Sequence, residues 1–216
     1  MKKLRRVMRF MIILCLVLMG LISIMEGKRK EADASADWNL MLVNDDYLVP
    51  ENYEVELWTL KNGEQIDDRI YPYLQEMFDA ARDEDVHMVV ADGYRSMEEQ
   101  QATMNEKVKE YKQRVYVSII AEKMAEKWVA VPGTSEHQLG LAVDINADVQ
   151  NYGWEVYGWL VKHAHEYGFI QRYPEDKTKI TGISYEPWHY RYVGIEAATE
   201  MYEKNLCLEE YIDSLK

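Results

Sequence analysis

Cysteine is nearly absent from this chain: its 216 residues include two, Cys15 inside an apolar run and Cys207 near the C-terminus. Neither a disulfide within the folded part nor a thiolate metal cluster can be built from such a pair. Basic residues are also scarce, 25 Lys and Arg against 38 Asp and Glu, for a formal charge of −13. Five of the basic residues fall in the first 25 positions, where there is no acid, so the rest of the chain stands at −18, with 20 basic against 38 acidic residues. A surface of that sign repels phosphate backbones and anionic headgroups, which excludes nucleic acid as a partner. Internal repeats and low-complexity tracts are missing too, which leaves one globular domain with a sizeable core.

One long apolar run is present. The opening MKKLRRVMRF MIILCLVLMG LISIM places a basic head before an uninterrupted stretch from Phe10 to Met25. As a helix that stretch spans roughly 24 Å, short of the ~30 Å hydrocarbon core unless Val7 and Met8 join it and Arg9 snorkels. Residues 1–25 therefore read as a membrane anchor or a signal segment. The small-residue pattern Ala34-Ser35-Ala36 lies beyond a charged stretch, far from where signal peptidases cut, which favours an uncleaved single-pass anchor over a secreted form. The basic head orients the N-terminus inward and puts the domain on the extracytoplasmic face. Leu14 precedes Cys15 where a lipoprotein signal would carry a small residue. Residues 26–38, charged and alanine-rich, read as a tether, and 39–216 as the domain.

Within the domain, Leu40–Val43 and Val55–Trp58 read as edge strands or extended arms, split by Pro50. Asp67 or Asp68 can cap a helix in which Ile70, Leu74, Met77, Phe78 and Ala81 recur at helical spacing. A strand is expected around Val86–Ala91. Ser96, followed by Glu98 and Glu99, then caps a helical tract that runs, with breaks, toward Trp128. Leu141–Ile145, Phe169–Tyr173 and Trp188–Val193 read as strands around a helix that ends near Gly168. Helices interleaved with short, non-repeating strands indicate an α+β fold with a small, mainly antiparallel sheet flanked by helices.

The chemistry concentrates in two segments, SEHQLGLAVDI at 135–145 and YEPWHYRYV at 185–193. His137, Asp144 and His189 offer two imidazoles and a carboxylate, a set that binds Zn²⁺ and leaves a fourth position for water, whose pKa then falls to roughly 7. Glu186, unliganded and near the last ligand, is the candidate base for that water. Gly140 allows a chain reversal between His137 and Asp144. Asp144 sits in an otherwise apolar strand, where an unpaired carboxylate is costly and a bound cation removes the cost. Pro187 rules out a helix for Glu186 and His189, so a kink or bulge must aim both at one point. Trp188, beside the last ligand, is a candidate wall of the site. His163 and His165 point in different directions on their helix and, with His87, read as packing or surface residues.

These blocks, with ADGYRSMEEQQ at 91–101 and GFIQRYPEDKTKITGISYEPWHYRYVG at 168–194, resemble the VanY-type metal-dependent D-alanyl-D-alanine carboxypeptidases over about residues 40–205. The resemblance implies the zinc-peptidase fold shared with the hedgehog signalling domain, with Zn²⁺ as cofactor and a peptidoglycan stem peptide as substrate. It also implies catalytic roles for Glu186 and for Arg95, which would face the scissile carbonyl, and substrate-binding roles for Gln100 and Ser135. Asp92 and Gln171 depart from the family pattern and are expected not to touch the catalytic set. The same machinery serves L,D-carboxypeptidases and L-alanyl-D-glutamate endopeptidases. A non-catalytic zinc-stabilised wall-binding module would need neither Glu186 nor Arg95.

Overall fold

Of the apolar positions expected to recur on a helix, Leu74, Met77 and Ala81 form its buried face, Ile70 is buried at its N-cap and Phe78 is half-buried, and the elements around them carry the rest of the core. A computed structural model describes residues 29–33, 37–115 and 117–216, so the anchor expected at 1–25 and the Ala34–Ala36 pattern lie outside the described residues. Among the described residues no helix is long and apolar enough to cross a membrane. The domain unit begins at Glu31. Ala32, inside the expected tether, is buried and donates its N–H to Leu48 O at 2.8 Å.

A hairpin of β1 (Leu57–Thr59) and β2 (Gln65–Asp67) leads into α1 (Tyr71–Asp83). Asp67 caps the turn between them, its Oδ1 accepting from Arg69 N at 2.9 Å. Next come β3 (Met88–Asp92), α2 (Met97–Lys112) and α3 (Ser118–Ala125), so the helical tract after Ser96 breaks before Trp128. Ser96 and Glu99 form a capping box that starts α2 one turn from the site. A one-turn 3-10 helix over Glu136–Leu139 precedes β4 (Ala142–Ala147) and α4 (Gly153–His163). The chain closes with β5 (Phe169–Tyr173), α5 (Thr178–Thr181), β6 (Glu186–Tyr192), α6 (Ile195–Lys204) and α7 (Leu208–Ser214).

Among the described residues the main sheet has four strands in the order β3-β4-β6-β5, every neighbouring pair antiparallel. Leu40–Val43 is not a strand. Met41 and Val43 are buried, and the carbonyls of Met41 and of Asn39 just before the segment accept from Arg191 Nη2 at 2.9 and 3.1 Å.

Sheet register does most of the positioning. Asp144 on β4 pairs with His189 on β6 and lies opposite Asp92 on β3, so three chemistry-bearing residues align across adjacent strands. The bend needed between Glu186 and His189 is a register shift in which the two-residue step Gln171 to Tyr173 on β5 faces the four-residue step Tyr190 to Glu186 on β6. Strand neighbours three apart normally face opposite sides, and a bulge of this kind re-aims one of them.

The reversal between His137 and Asp144 turns on Gly140, whose φ is +71°. A Cβ there would lie 2.9 Å from Asp67 N, which itself donates to Gly140 O at 3.0 Å. Gly140→Ala therefore meets both left-handed strain and a backbone clash. It is expected to cost roughly 2 kcal/mol or more, readable as a lower urea midpoint at unchanged m-value.

Candidate metal centre

His137 arrives on the 3-10 turn, Asp144 on β4 and His189 on β6, and one donor atom from each lies within 4.8 Å of the other two. Each imidazole approaches Asp144 through one nitrogen. His189 Nδ1 is 2.9 Å from Asp144 Oδ1, and His137 Nε2 is 3.5 Å from the same oxygen. The two rings stand nearly perpendicular, at 81° with centroids 4.9 Å apart. The other nitrogen of His137, Nδ1, lies 2.6 Å from Gly93 O, which fixes its proton there and leaves the Nε2 lone pair toward the site. A Cβ on Gly93 would collide with Gln65 O, so glycine alone fits the position whose carbonyl meets this ring.

This donor set fits zinc. Tetrahedral ligands at about 2.0–2.1 Å from an ion stand about 3.3 Å from one another; the two spacings to Asp144 Oδ1 are 2.9 and 3.5 Å, and all three donors lie within 4.8 Å of one another. The electrostatics fit as well. Burial opposes ionisation of Asp144, yet the two imidazoles hold its carboxyl well below the usual carboxylate range. Burial likewise disfavours a charged His189, but Asp144, Glu136 and Glu186 together push its imidazole up to about 9. A pocket that favours a proton this strongly against desolvation is built around a positive charge, and a divalent cation supplies one.

Glu186 stands clear of that triad, its Oε2 4.0 Å from His189 Nδ1. Burial dominates its surroundings and, with Asp144 nearby, lifts its carboxyl to about 7 against the opposing pull of His189 and Arg95. Arg95 reaches in from the loop before α2, with Nη2 3.6 Å from Asp144 Oδ2. Asp92 grips this guanidinium through Nε at 3.0 Å and Nη2 at 2.8 Å, so the expectation that Asp92 stays away from the catalytic set is corrected. The contact is local, three residues along the chain, and the guanidinium also faces Asp144, which the register sets opposite Asp92, two carboxylates that would repel without a cation between them.

Gln100 and Ser135 both line the cavity of about 70 Å³ that opens on these residues. Gln100 is fully buried with both ends of its amide engaged, Oε1 accepting from Arg95 Nη1 at 3.0 Å and Nε2 donating to Ala130 O at 2.7 Å. It braces Arg95 rather than presenting free groups. Trp188 is half-buried and absent from the lining, because its neighbour His189 takes the inward direction. The aromatic wall comes instead from Trp128 and Tyr173. A larger cavity of about 190 Å³, bounded by Leu160, Phe169, Tyr190 and Met201, holds no ligating set.

Sequence reasoning missed Glu136. It is fully buried between Arg172 Nε at 2.8 Å and Arg191 Nη1 at 2.9 Å, and Arg172 also donates to Glu209 at 2.9 Å. The signal was available: Arg172 in FIQRY and Arg191 in YRYV interrupt apolar strands just as Asp144 does, and buried charges of that kind need partners.

Comparison with known proteins supplies a family. The model of the VanY family, D-alanyl-D-alanine carboxypeptidase, matches residues 63–195. A D-alanyl-D-alanine carboxypeptidase of Enterococcus faecalis is 60% identical over 188 residues, covering 87% of this chain and 70% of the relative. Among solved structures, VanYB in complex with D-alanine-D-alanine superposes with a TM-score of 0.82 at 61% identity, covering 83% of this chain and all of that one. A mutant of the vancomycin resistance D,D-pentapeptidase VanY from a VanB-type cassette, in complex with Zn(II), gives 0.80 at 62% identity, covering 82% and 99%.

Proposed function

The chain belongs to the VanY family of D-alanyl-D-alanine carboxypeptidases, and from that premise we propose that it removes the terminal D-alanine of peptidoglycan stem peptides, with His137, Asp144 and His189 holding the zinc ion. The observation that carries this reading is the convergence of those three donors within 4.8 Å, beside a carboxylate, Glu186, that is not one of them.

Zinc, when bound, polarises the scissile carbonyl and acidifies water. Glu186 takes the proton of the attacking water and passes it to the leaving amine nitrogen, two transfers open to a buried carboxylate that is not among the three donors. Arg95, held by Asp92 and Gln100, presents a fixed cation where the carbonyl oxygen gains negative charge, an interaction stronger in the transition state than in the ground state. Ser135, Trp128 and Tyr173 line the space in which the peptide terminus sits. No side-chain nucleophile takes part, so turnover proceeds without an acyl-enzyme and is insensitive to β-lactams.

The test uses defined stems. Purified zinc-loaded chain incubated with tri-, tetra- and pentapeptide stems is expected to shorten the pentapeptide by one D-alanine and leave the others whole, as read by mass spectrometry. Trimming of the tetrapeptide, or cleavage between L-alanine and D-glutamate, would reassign the specificity, and no cleavage at all would leave a binding module. Attachment to the outer face of the membrane through residues 10–25 belongs to the same proposal. Fractionation is expected to put the full chain with membranes, accessible to external protease.

A further inference from the structure

We infer that Glu136 is the positioning residue for His189: its free Oε2 accepts the Nε2 proton of that imidazole and so reserves Nδ1 for the metal. The inference rests on the metal-centre reading above and adds a residue that the ligand set does not contain.

The two candidate ligands are presented in opposite senses. His137 turns Nε2 toward Asp144 and ties Nδ1 to a backbone carbonyl. His189 turns Nδ1 toward Asp144, which leaves Nε2 on the far side of its ring, buried and without a hydrogen-bond partner. Facing it at 3.9 Å is Glu136 Oε2, equally buried and equally without a hydrogen bond. A buried ring nitrogen and a buried carboxylate oxygen, each costly to leave unpartnered, are thus near neighbours. The separation is about 1 Å longer than a charge-assisted bond, so the two atoms are paired electrostatically and not yet hydrogen-bonded.

Glu136 is held for this task. Its Oε1 accepts from Arg172 Nε at 2.8 Å and sits 2.9 Å from Arg191 Nη1, while Arg172 is anchored in turn by Glu209. One oxygen is therefore committed to the arginines and the other is committed to nothing else. Glu136 is also the chain neighbour of His137, so the same one-turn helix delivers one ligand and orients the second. A neutral imidazole has one N–H and one lone pair. With the proton on Nδ1, the Nε2 lone pair would face a carboxylate, so Glu136 selects the tautomer whose lone pair faces Asp144 and Glu186.

The experiment compares Glu136→Gln with Glu209→Gln in the full chain. Both remove one carboxylate from the buried arginine pair, but only the first places an amide opposite His189. Zinc affinity is read by competition with a chelator, and Tm is read in EDTA. Both variants are expected to lower Tm, while Glu136→Gln alone raises the zinc Kd by roughly 10- to 100-fold. An unchanged Kd in Glu136→Gln, or an equal rise in Glu209→Gln, would overturn the inference. Should Glu136→Gln fail to fold, imidazole ¹⁵N spectra of the zinc-loaded wild-type chain decide: they must show Nδ1 of His189 metal-bound and Nε2 protonated, and the reverse assignment overturns it. Failure of the wild-type chain to bind zinc through both histidines would instead strike the metal-centre reading itself.

Discussion

Glu186→Gln is expected to lower kcat/KM on a D-alanyl-D-alanine peptide by roughly 10²- to 10⁴-fold, the span of a lost general base, while zinc binding stays near wild type. The side chain keeps its shape and loses only its ability to accept a proton. Wild-type kcat/KM should rise with pH through the ionisation of Glu186 to a plateau, and the variant should lose that acid limb. Burial sets the metal-free carboxyl at about 7, and a bound cation moves the limb to lower pH.

The same substitution has a second signature in the metal-free chain. The folded-state value of Glu186, about 7, lies above its ordinary 4.5, so the folded state holds a proton that the unfolded state has released. Stability therefore falls as pH rises between those values, and the full cost is present above the higher one. Glu186→Gln should be more stable than wild type by roughly 3 kcal/mol at pH 8, at about 1.4 kcal/mol per unit, and little changed near pH 4. Urea unfolding in EDTA at both pH values reads the difference. Equal effects at the two would show that the carboxyl is not desolvated.

Stripping the metal produces the other large effect. Dialysis against a chelator is expected to abolish hydrolysis, zinc to restore it, and penicillin to affect neither. Stability should fall as well, by about 2.7 kcal/mol relative to zinc at 100 times its Kd. Without the cation, Asp144, Glu136 and Glu186 lift His189 to about 9. Its raised value stabilises the metal-free fold below the ordinary 6.5, and that contribution drains away as pH climbs through 9. Binding zinc at pH 7 must therefore displace the His189 proton, so calorimetry in buffers of different ionisation enthalpy should show proton release. Activity that survives thorough chelation would contradict the assignment.

Much of this site was legible before any coordinates because its chemistry contradicts its surroundings. Asp144 among apolar strand residues and Pro187 between Glu186 and His189 each demand an explanation; the bulge answers the second, and a donor set that could hold a cation answers the first. The family resemblance pointed to Arg95, whose environment it could not describe. Asp92 stands three residues before Arg95 and grips it locally, a pairing the spacing allowed but did not require, while strand register adds Asp144 opposite Asp92. The wall of the site moved from Trp188 to Trp128 because a strand alternates its faces and Trp128 arrives from a distant segment. Leu40–Val43 read as an edge strand or an extended arm, and of the two it is not the strand. One of its carbonyls, that of Met41, is instead taken by Arg191, more than a hundred residues away. Glu136 escaped notice since its role depends on two arginines and a histidine that only the fold brings to it.

The most direct measurement is an anomalous difference map at the zinc edge from crystals of the zinc-loaded chain. One peak is expected about 2.0–2.2 Å from His137 Nε2, His189 Nδ1 and a carboxylate oxygen of Asp144, with Glu186 outside bonding distance. A peak that omits either histidine or Asp144, or that includes Glu186 as a ligand, would contradict the account.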